Sequence, residues 1–360
     1  MDKRNGNGKG QVIRFIDLFC GIGGFRMAMQ QVARERHLAP VCVLSSDIDE
    51  DCQEAYAANF GEKPLGDIKA VDEALIPDHD LLLAGFPCQP FSIIGQRKGF
   101  DDTRGTLFFE IARILKAKRP RAFVLENVKL LVGHNGGRTL HRIMETLREI
   151  GYQADYRVFN ALKFGLPQKR ERVFIVGFDR PTRFDWPTGD VPMKPLSEVL
   201  ERSVPKRFFA SEYIRKRRHS VLLPTRQATI WHENKGGHIS AHPFSCALRA
   251  GASYNYLLVN GERRLTPREM LRLQGFDDSY KIVCSETQTR KQAGNSVAVP
   301  VVAAVLSQVF NASAWEETGK TYPPGVSPTD AQLRLLEARQ PHAKPKTAKH
   351  RKVSAAVPPQ

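Results

Sequence analysis

VIRFIDLFCGIGGF, residues 12–25, is the stretch from which the fold follows. Its first half, Val12–Leu18, is apolar and rich in strand-forming residues, and it runs into a glycine turn, so it reads as a buried strand. Gly21, Gly23 and Gly24 then let the backbone turn sharply and come close to a ligand before a helix begins. Four more apolar runs, Val41–Leu44, Leu81–Ala84, Ala122–Leu125 and Val173–Phe178, read as further buried strands. Amphipathic stretches separate them; in Thr139–Ile150, the side chains of Leu140, Ile143, Met144, Leu147 and Ile150 share one helical face. This alternation predicts an α/β fold with a doubly wound, mostly parallel sheet covered on both sides. Ligands on such sheets bind beyond the carboxyl ends of the strands.

The bulk properties bound the partners. A chain of 360 residues has room for one large domain and a smaller one. Its net charge of +16 is unusual, and residues 313–360, with eight basic and four acidic side chains, account for little of it. A basic folded body points to a polyanion, of which nucleic acid is the commonest, although a solubility role or an acidic protein partner would need the same charge. The six cysteines (Cys20, Cys42, Cys52, Cys88, Cys246, Cys284) are scattered without a C-x-x-C pair. That argues against a zinc site or a disulfide framework, and no metal is expected. The polar start lacks the apolar core of a signal peptide, and no apolar run approaches the length needed to span a bilayer, so a cytoplasmic location is expected.

Several motifs sit at predicted strand ends. Asp47 follows the second strand at a distance where a carboxylate can accept hydrogen bonds from ribose hydroxyls, and Gly66-Asp67-Ile68 forms a third acidic turn. The glycine spacing differs from the dinucleotide fingerprint and suits a mononucleoside better, though a purely structural turn would also use it. GFPCQPFS, residues 85–92, sets Cys88 between prolines at the ligand side of the sheet, where a buried structural thiol would be the ordinary reading. Glu126 ends another strand in ENV, and QKRER, residues 168–172, enters the next as either a charged edge or an anion clamp.

Together these residues resemble a DNA (cytosine-5) methyltransferase of the bacterial restriction–modification type. DLFCGIGGF, SSDID, GDI, GFPCQPFS, ENV, QKRERVFIVG, RRLTPREMLRLQGF and AGNSVAVPVV stand in the family's order from Phe15 to Phe310. The resemblance implies the class I S-adenosylmethionine-dependent methyltransferase fold, that cosubstrate, and double-stranded DNA as partner, with a cognate endonuclease acting separately. It makes Cys88 the nucleophile on cytosine C6, Glu126 the acid at N3, and Arg172 the contact to O2, with Arg170 or Arg172 favouring the thiolate. It places the adenine near Phe19, Ile48, Asp67 and Ile68, the ribose on Asp47, and Pro87 near the methyl donor. Gly21, Gly23 and Gly24 frame that site, and Asn295 returns from the C-terminal side to pack beside them.

The target cytosine must swing out of the duplex, and residues 89–106, including Gln89 and Ser92, match the family's closing loop. The implied division is a flexible N-terminus at 1–11, a catalytic and cofactor-binding domain at 12–178 plus 290–312, a target-recognition domain at 179–289, and a disordered basic tail at 313–360. Helices are expected at Pro267–Gln274 and Val299–Phe310. Arg215, Lys216, Arg217, Arg218, Arg226 and Lys235 are the candidates for DNA contacts, to phosphates or guanine edges. Ala247 stands where many relatives have Thr, and the nearby Ser245 offers a hydroxyl in its place. Two other readings compete: the same chemistry on tRNA, and a DNA-binding regulator that keeps the scaffold without catalysis.

Overall fold

The computed structural model describes residues 11–87, 107–312 and 315. Its elements run β1 (Val12–Leu18), α1 (Gly24–Arg36), β2 (Ala39–Ser46), α2 (Glu50–Phe60), β3 (Leu81–Gly85), α3 (Leu107–Lys118), β4 (Ala122–Val128), α4 (Leu130–Gly133) and α5 (Arg138–Glu149). There follow β5 (Gln153–Asn160), β6 (Gln168–Lys169), β7 (Glu171–Phe178), α6 (Glu212–His219), β8 (Ile230–Glu233), β9 (Ile239–His242), β10 (Ser245–Cys246) and β11 (Leu257–Val259). Three helices close the described chain: α7 (Pro267–Leu273), α8 (Glu286–Asn295) and α9 (Val299–Asn311).

The main sheet has the order β2-β1-β3-β4-β7-β5. The first four strands are parallel, and β7 runs antiparallel to both β4 and β5. All five expected strands are present, and the sheet is mostly parallel as expected. β5 was not foreseen from the sequence; most of its side chains are exposed or half-buried, so it lacks an apolar signature.

Strand side chains alternate between two cores, as the two-residue period requires. Phe15, Leu81, Leu83 and Val124 pack with α1 and α9, whereas Ile16, Leu82, Ala84, Phe123 and Leu125 pack with α3 and α5. The first core continues without a break into Ile230, Leu257 and Leu271, so residues beyond the sheet share its apolar interior. Local signals fix the ends of several helices. α7 starts with Thr266 and Glu269 in a reciprocal capping box and Pro267 in its first turn. The stretch Glu286–Asn311 is long and apolar enough to cross a membrane by length and composition, contrary to the reading of the sequence. In the fold it is two helices, α8 and α9, and α9 is a core element against α1.

Candidate active site

A cavity of about 480 Å³ opens at the carboxyl ends of β1, β2, β3 and β4. Such a volume suits a small-molecule ligand. Its floor at one end is the turn after β1. Phe19 and Gly21 both take left-handed backbone angles, with φ of 54° and 52°. Nothing lies within 4 Å of where a Gly21 Cβ would be, so the backbone faces open space. Gly24 is glycine for the opposite reason, since a Cβ there would meet Val297 Cγ2 at 2.6 Å. The segment after α8 is therefore seated on the first turn, and Asn295 lies in the cavity wall beside it.

Asp47, just past β2, is anchored rather than free. Its carboxylate accepts N–H bonds from Gly21 (2.8 Å) and Asp49 (2.9 Å). A carboxylate has about four acceptor positions, so about two remain for a ligand. Burial raises its pKa, and the two backbone donors oppose that. Ile48 is 74% exposed although apolar, and it lines the same cavity. Asp67 accepts from the Lys69 N–H at 3.0 Å, and the buried Ile68 completes that wall. Pro87 is exposed at the rim. Cys88, Gln89 and Ser92 lie outside the described residues.

At the other end of the cavity is Glu126, near the end of β4 and only 8% exposed. Antiparallel pairing of β4 with β7 brings Arg172 beside it, with Nε 3.0 Å from Oε1. The N–H points off that oxygen, so the contact is ionic rather than an aligned hydrogen bond. Burial raises the Glu126 pKa, against the pull of Arg172 and then Arg170.

Arg170 lines the same cavity, and the fold itself holds its guanidinium. Its guanidinium donates to the main-chain oxygens of Leu248 (3.2 Å), Gly294 (3.2 Å) and Ser296 (2.6 Å). It is buried, and burial followed by the nearby Arg172 acts against its charge. Its hydrogen-bonding capacity is thus largely taken by the protein's own carbonyls. Gln274, at the end of α7, was missed from the sequence although it stands in the quoted LQGF turn. It and Gln168 join the same buried network.

The candidate DNA contacts divide sharply. Arg218 is fully buried, bonded to Trp231 O (3.3 Å), Glu233 (2.9 Å) and Asn255 O, so the expectation that it contacts DNA is corrected. Helical geometry turns this one residue of the RKRR run inward onto the β8–β9 hairpin. Its neighbours stay outward, in pairs with acids: Arg215 with Glu262 at 3.0 Å, Lys216 with Glu212 at 2.7 Å, and Arg217 with Glu233 at 2.5 Å. Arg226 and Lys235 are exposed, the latter in the turn between β8 and β9. Ser245 does not supply the substitute hydroxyl, because it is buried in β10 and donates to Cys246 O at 2.7 Å.

A family model described as C-5 cytosine-specific DNA methylase matches residues 13–311. The chain is 54% identical over 292 residues to Type II methyltransferase M.NgoBI of Neisseria gonorrhoeae, covering 80% of this chain and 90% of that protein. It is 51% identical over 299 residues to Type II methyltransferase M.HaeII of Haemophilus aegyptius, covering 82% and 92% respectively. Among solved structures, Schizosaccharomyces pombe Dnmt2 methyltransferase superposes with a TM-score of 0.63 at 21% identity, over 83% of this chain and 98% of that one. At that identity the likeness speaks to the fold alone, which is that of the class I S-adenosylmethionine-dependent methyltransferases. The chain belongs to the C-5 cytosine-specific DNA methylase family, as a DNA (cytosine-5) methyltransferase of the bacterial restriction–modification type.

Proposed function

We propose that this chain transfers a methyl group from S-adenosylmethionine to C5 of a cytosine flipped out of a specific duplex DNA sequence, through a covalent bond between Cys88 Sγ and C6. The observation that carries this reading is one cavity running from the glycine turn and Asp47 to the Glu126–Arg172 pair. A nucleoside and a base each need such an end, and the reacting atoms must meet between them. The residues present fit the cosubstrate: Asp47 keeps acceptor capacity for ribose hydroxyls, Ile48 offers an exposed apolar face for a purine, and Gly21 leaves its backbone open. When bound, S-adenosylmethionine supplies an electrophilic methyl.

The protein's own groups handle the cytosine. The Cys88 thiolate adds to C6, and the ring electrons move to C5, which takes the methyl while the electron pair of the broken sulfur–methyl bond leaves with S-adenosylhomocysteine. Glu126, kept towards its protonated form by burial, hydrogen-bonds N3 and draws electron density from the ring. Arg172 holds O2 while staying against Glu126. A base then removes the C5 proton, and the electron pair returned to the ring expels the Cys88 thiolate.

Residues 179–289 form the target-recognition region in this reading, with residues 290–312 returning to the cofactor end. Arg226 and Lys235 contact the duplex directly. Arg215, Lys216 and Arg217 exchange their surface partners for phosphates, which is cheap because exposed ion pairs are worth about 0–1 kcal/mol. A cognate endonuclease protects its host by acting separately on the same site, and the enzyme works in the cytoplasm.

The test is transfer of labelled methyl groups to duplex DNA and to tRNA, with bisulfite sequencing of DNA from expressing cells. Label in tRNA alone would overturn the choice of substrate. Cys88→Ala is expected to abolish transfer, to form no adduct with 5-fluorocytosine duplex, and to keep DNA binding. Transfer by Cys88→Ala, or a wild-type chain that never forms the adduct, would sink the covalent route.

A further inference from the structure

The C-terminus of α8 leaves carbonyls that no further helical turn can use. Two buried side chains take them. Gln274 Nε2 donates to Ala293 O at 2.5 Å and reaches Ser296 O at 3.4 Å. Arg170 donates to Gly294 O and Ser296 O from the other side. The main-chain oxygen of Gln274 also accepts the Val299 N–H at 2.8 Å, at the start of α9. Gln274 thus grips both ends of the turn between α8 and α9. Its own amide is held in place, because Gln168 Nε2 donates to Gln274 Oε1 at 3.3 Å and to Leu273 O at 2.7 Å.

That turn carries Asn295 and Ser296 in the cavity wall and sets Val297 against Gly24. Gln274 is fully buried and does not line the cavity itself. We propose that Gln274 is a positioning residue for the cofactor end of the active site: its amide fixes the Ala293–Ser296 segment, so that Asn295 and Ser296 meet S-adenosylmethionine in one arrangement. This rests on the cofactor reading proposed above. The physical requirement is a donor. A carboxylate of the same shape would face Ala293 O with no hydrogen to give, whereas a protonated carboxyl could donate once. An apolar side chain of similar volume would take the side-chain donor from Ala293 O in a buried place and leave Ser296 O to Arg170.

Isothermal titration of the full-length chain with S-adenosylmethionine, beside duplex binding by anisotropy, tests this. Gln274→Met is expected to weaken S-adenosylmethionine binding tenfold or more, with duplex affinity within threefold of wild type and kcat at saturating cosubstrate reduced less than the affinity. Gln274→Glu is expected to recover affinity at least fivefold, relative to wild type, as pH falls from 8 to 6. Wild-type affinity in Gln274→Met, equal losses for both ligands, or a flat pH response in Gln274→Glu would overturn the inference. If Gln274→Met does not give a cooperative melt, the pH response of Gln274→Glu decides alone. A wild-type chain that binds no S-adenosylmethionine would overturn the cofactor reading itself, which is a different result.

Discussion

Charged groups at the sheet edge and charged groups on α6 are handled in opposite ways. Around β4 and β7, Glu126 and Arg170 are buried, and their partners are a neighbouring charge or main-chain carbonyls held by the fold. On α6, Lys216 and Arg217 are exposed and meet single carboxylates that solvent also reaches. Buried polar groups are expensive to leave unmade, so they fix geometry. Surface pairs can be exchanged at little cost, which suits a polyanion that must be bound and released. One residue crosses the boundary. Arg218 belongs to the basic run by sequence and to the buried class by structure.

The largest expected effect tests the buried side. Glu126→Gln keeps the shape but cannot share a proton with N3 in the same way, and general acid assistance is typically worth about 10²–10⁴-fold. A drop in kcat of that size is expected, with S-adenosylmethionine affinity little changed because the cofactor contacts lie at the other end of the cavity. Single-turnover methylation with pre-bound duplex would read it. A loss below tenfold would mean that Glu126 is merely a structural carboxylate held by Arg172.

Next in size is Arg218. Removing one partner from a buried charge network typically costs about 3–5 kcal/mol. Arg218→Ala strips the donor from Trp231 O and Asn255 O and one partner from Glu233, and Glu233 keeps Arg217. A loss at the lower end of that range is therefore expected in urea denaturation. Arg217→Ala should lose under about 1 kcal/mol in the same assay. Equal losses would erase the distinction between the two arginines.

Much of this was legible beforehand. Val12–Leu18 is β1 to the residue, because an apolar run ended by a glycine turn leaves little choice. Glu126, Asp47 and Asn295 all reach the one cavity, since each stands at an element end that topology brings to the same edge. What the letters did not carry was partnership. β5 looks polar because it is an edge strand, and the reversal of β7 depends on pairing with β4. Arg170 and Arg172 are indistinguishable as residue types two positions apart; only the carbonyls of Leu248, Gly294 and Ser296 separate them. Ser245 offered a hydroxyl on paper, but burial in β10 turned it onto its own chain.

Buried charge also sets a pH response that surface charge would not. Asp17 in β1 is fully buried, and burial, partly opposed by Arg26, pushes its pKa from the ordinary 3.8 up to about 8. The folded state therefore holds this proton more tightly than the unfolded chain between those values. Its contribution to stability is complete below pH 3.8 and is lost as pH rises through about 8. Asp17→Asn, which stays neutral, is expected to melt higher than wild type at pH 8.5, with the gap narrowing steadily as pH falls and closing only below pH 3.8. Parallel melting curves across that range would show that Asp17 titrates normally.

The smallest effect belongs to the surface side. Arg226 is exposed and lies just before β8, where a phosphate contact would cost nothing in folding. Arg226→Ala should leave thermal stability unchanged and weaken duplex binding modestly for every sequence tested. Each phosphate contact contributes roughly 0.9 to the slope of log K against log salt, so the variant's slope should fall by about one. A variant that keeps the wild-type slope but loses discrimination between duplexes would instead make Arg226 a reader of base edges. That outcome would move the boundary between positioning and recognition within this region, while leaving the contrast with the buried sheet edge intact.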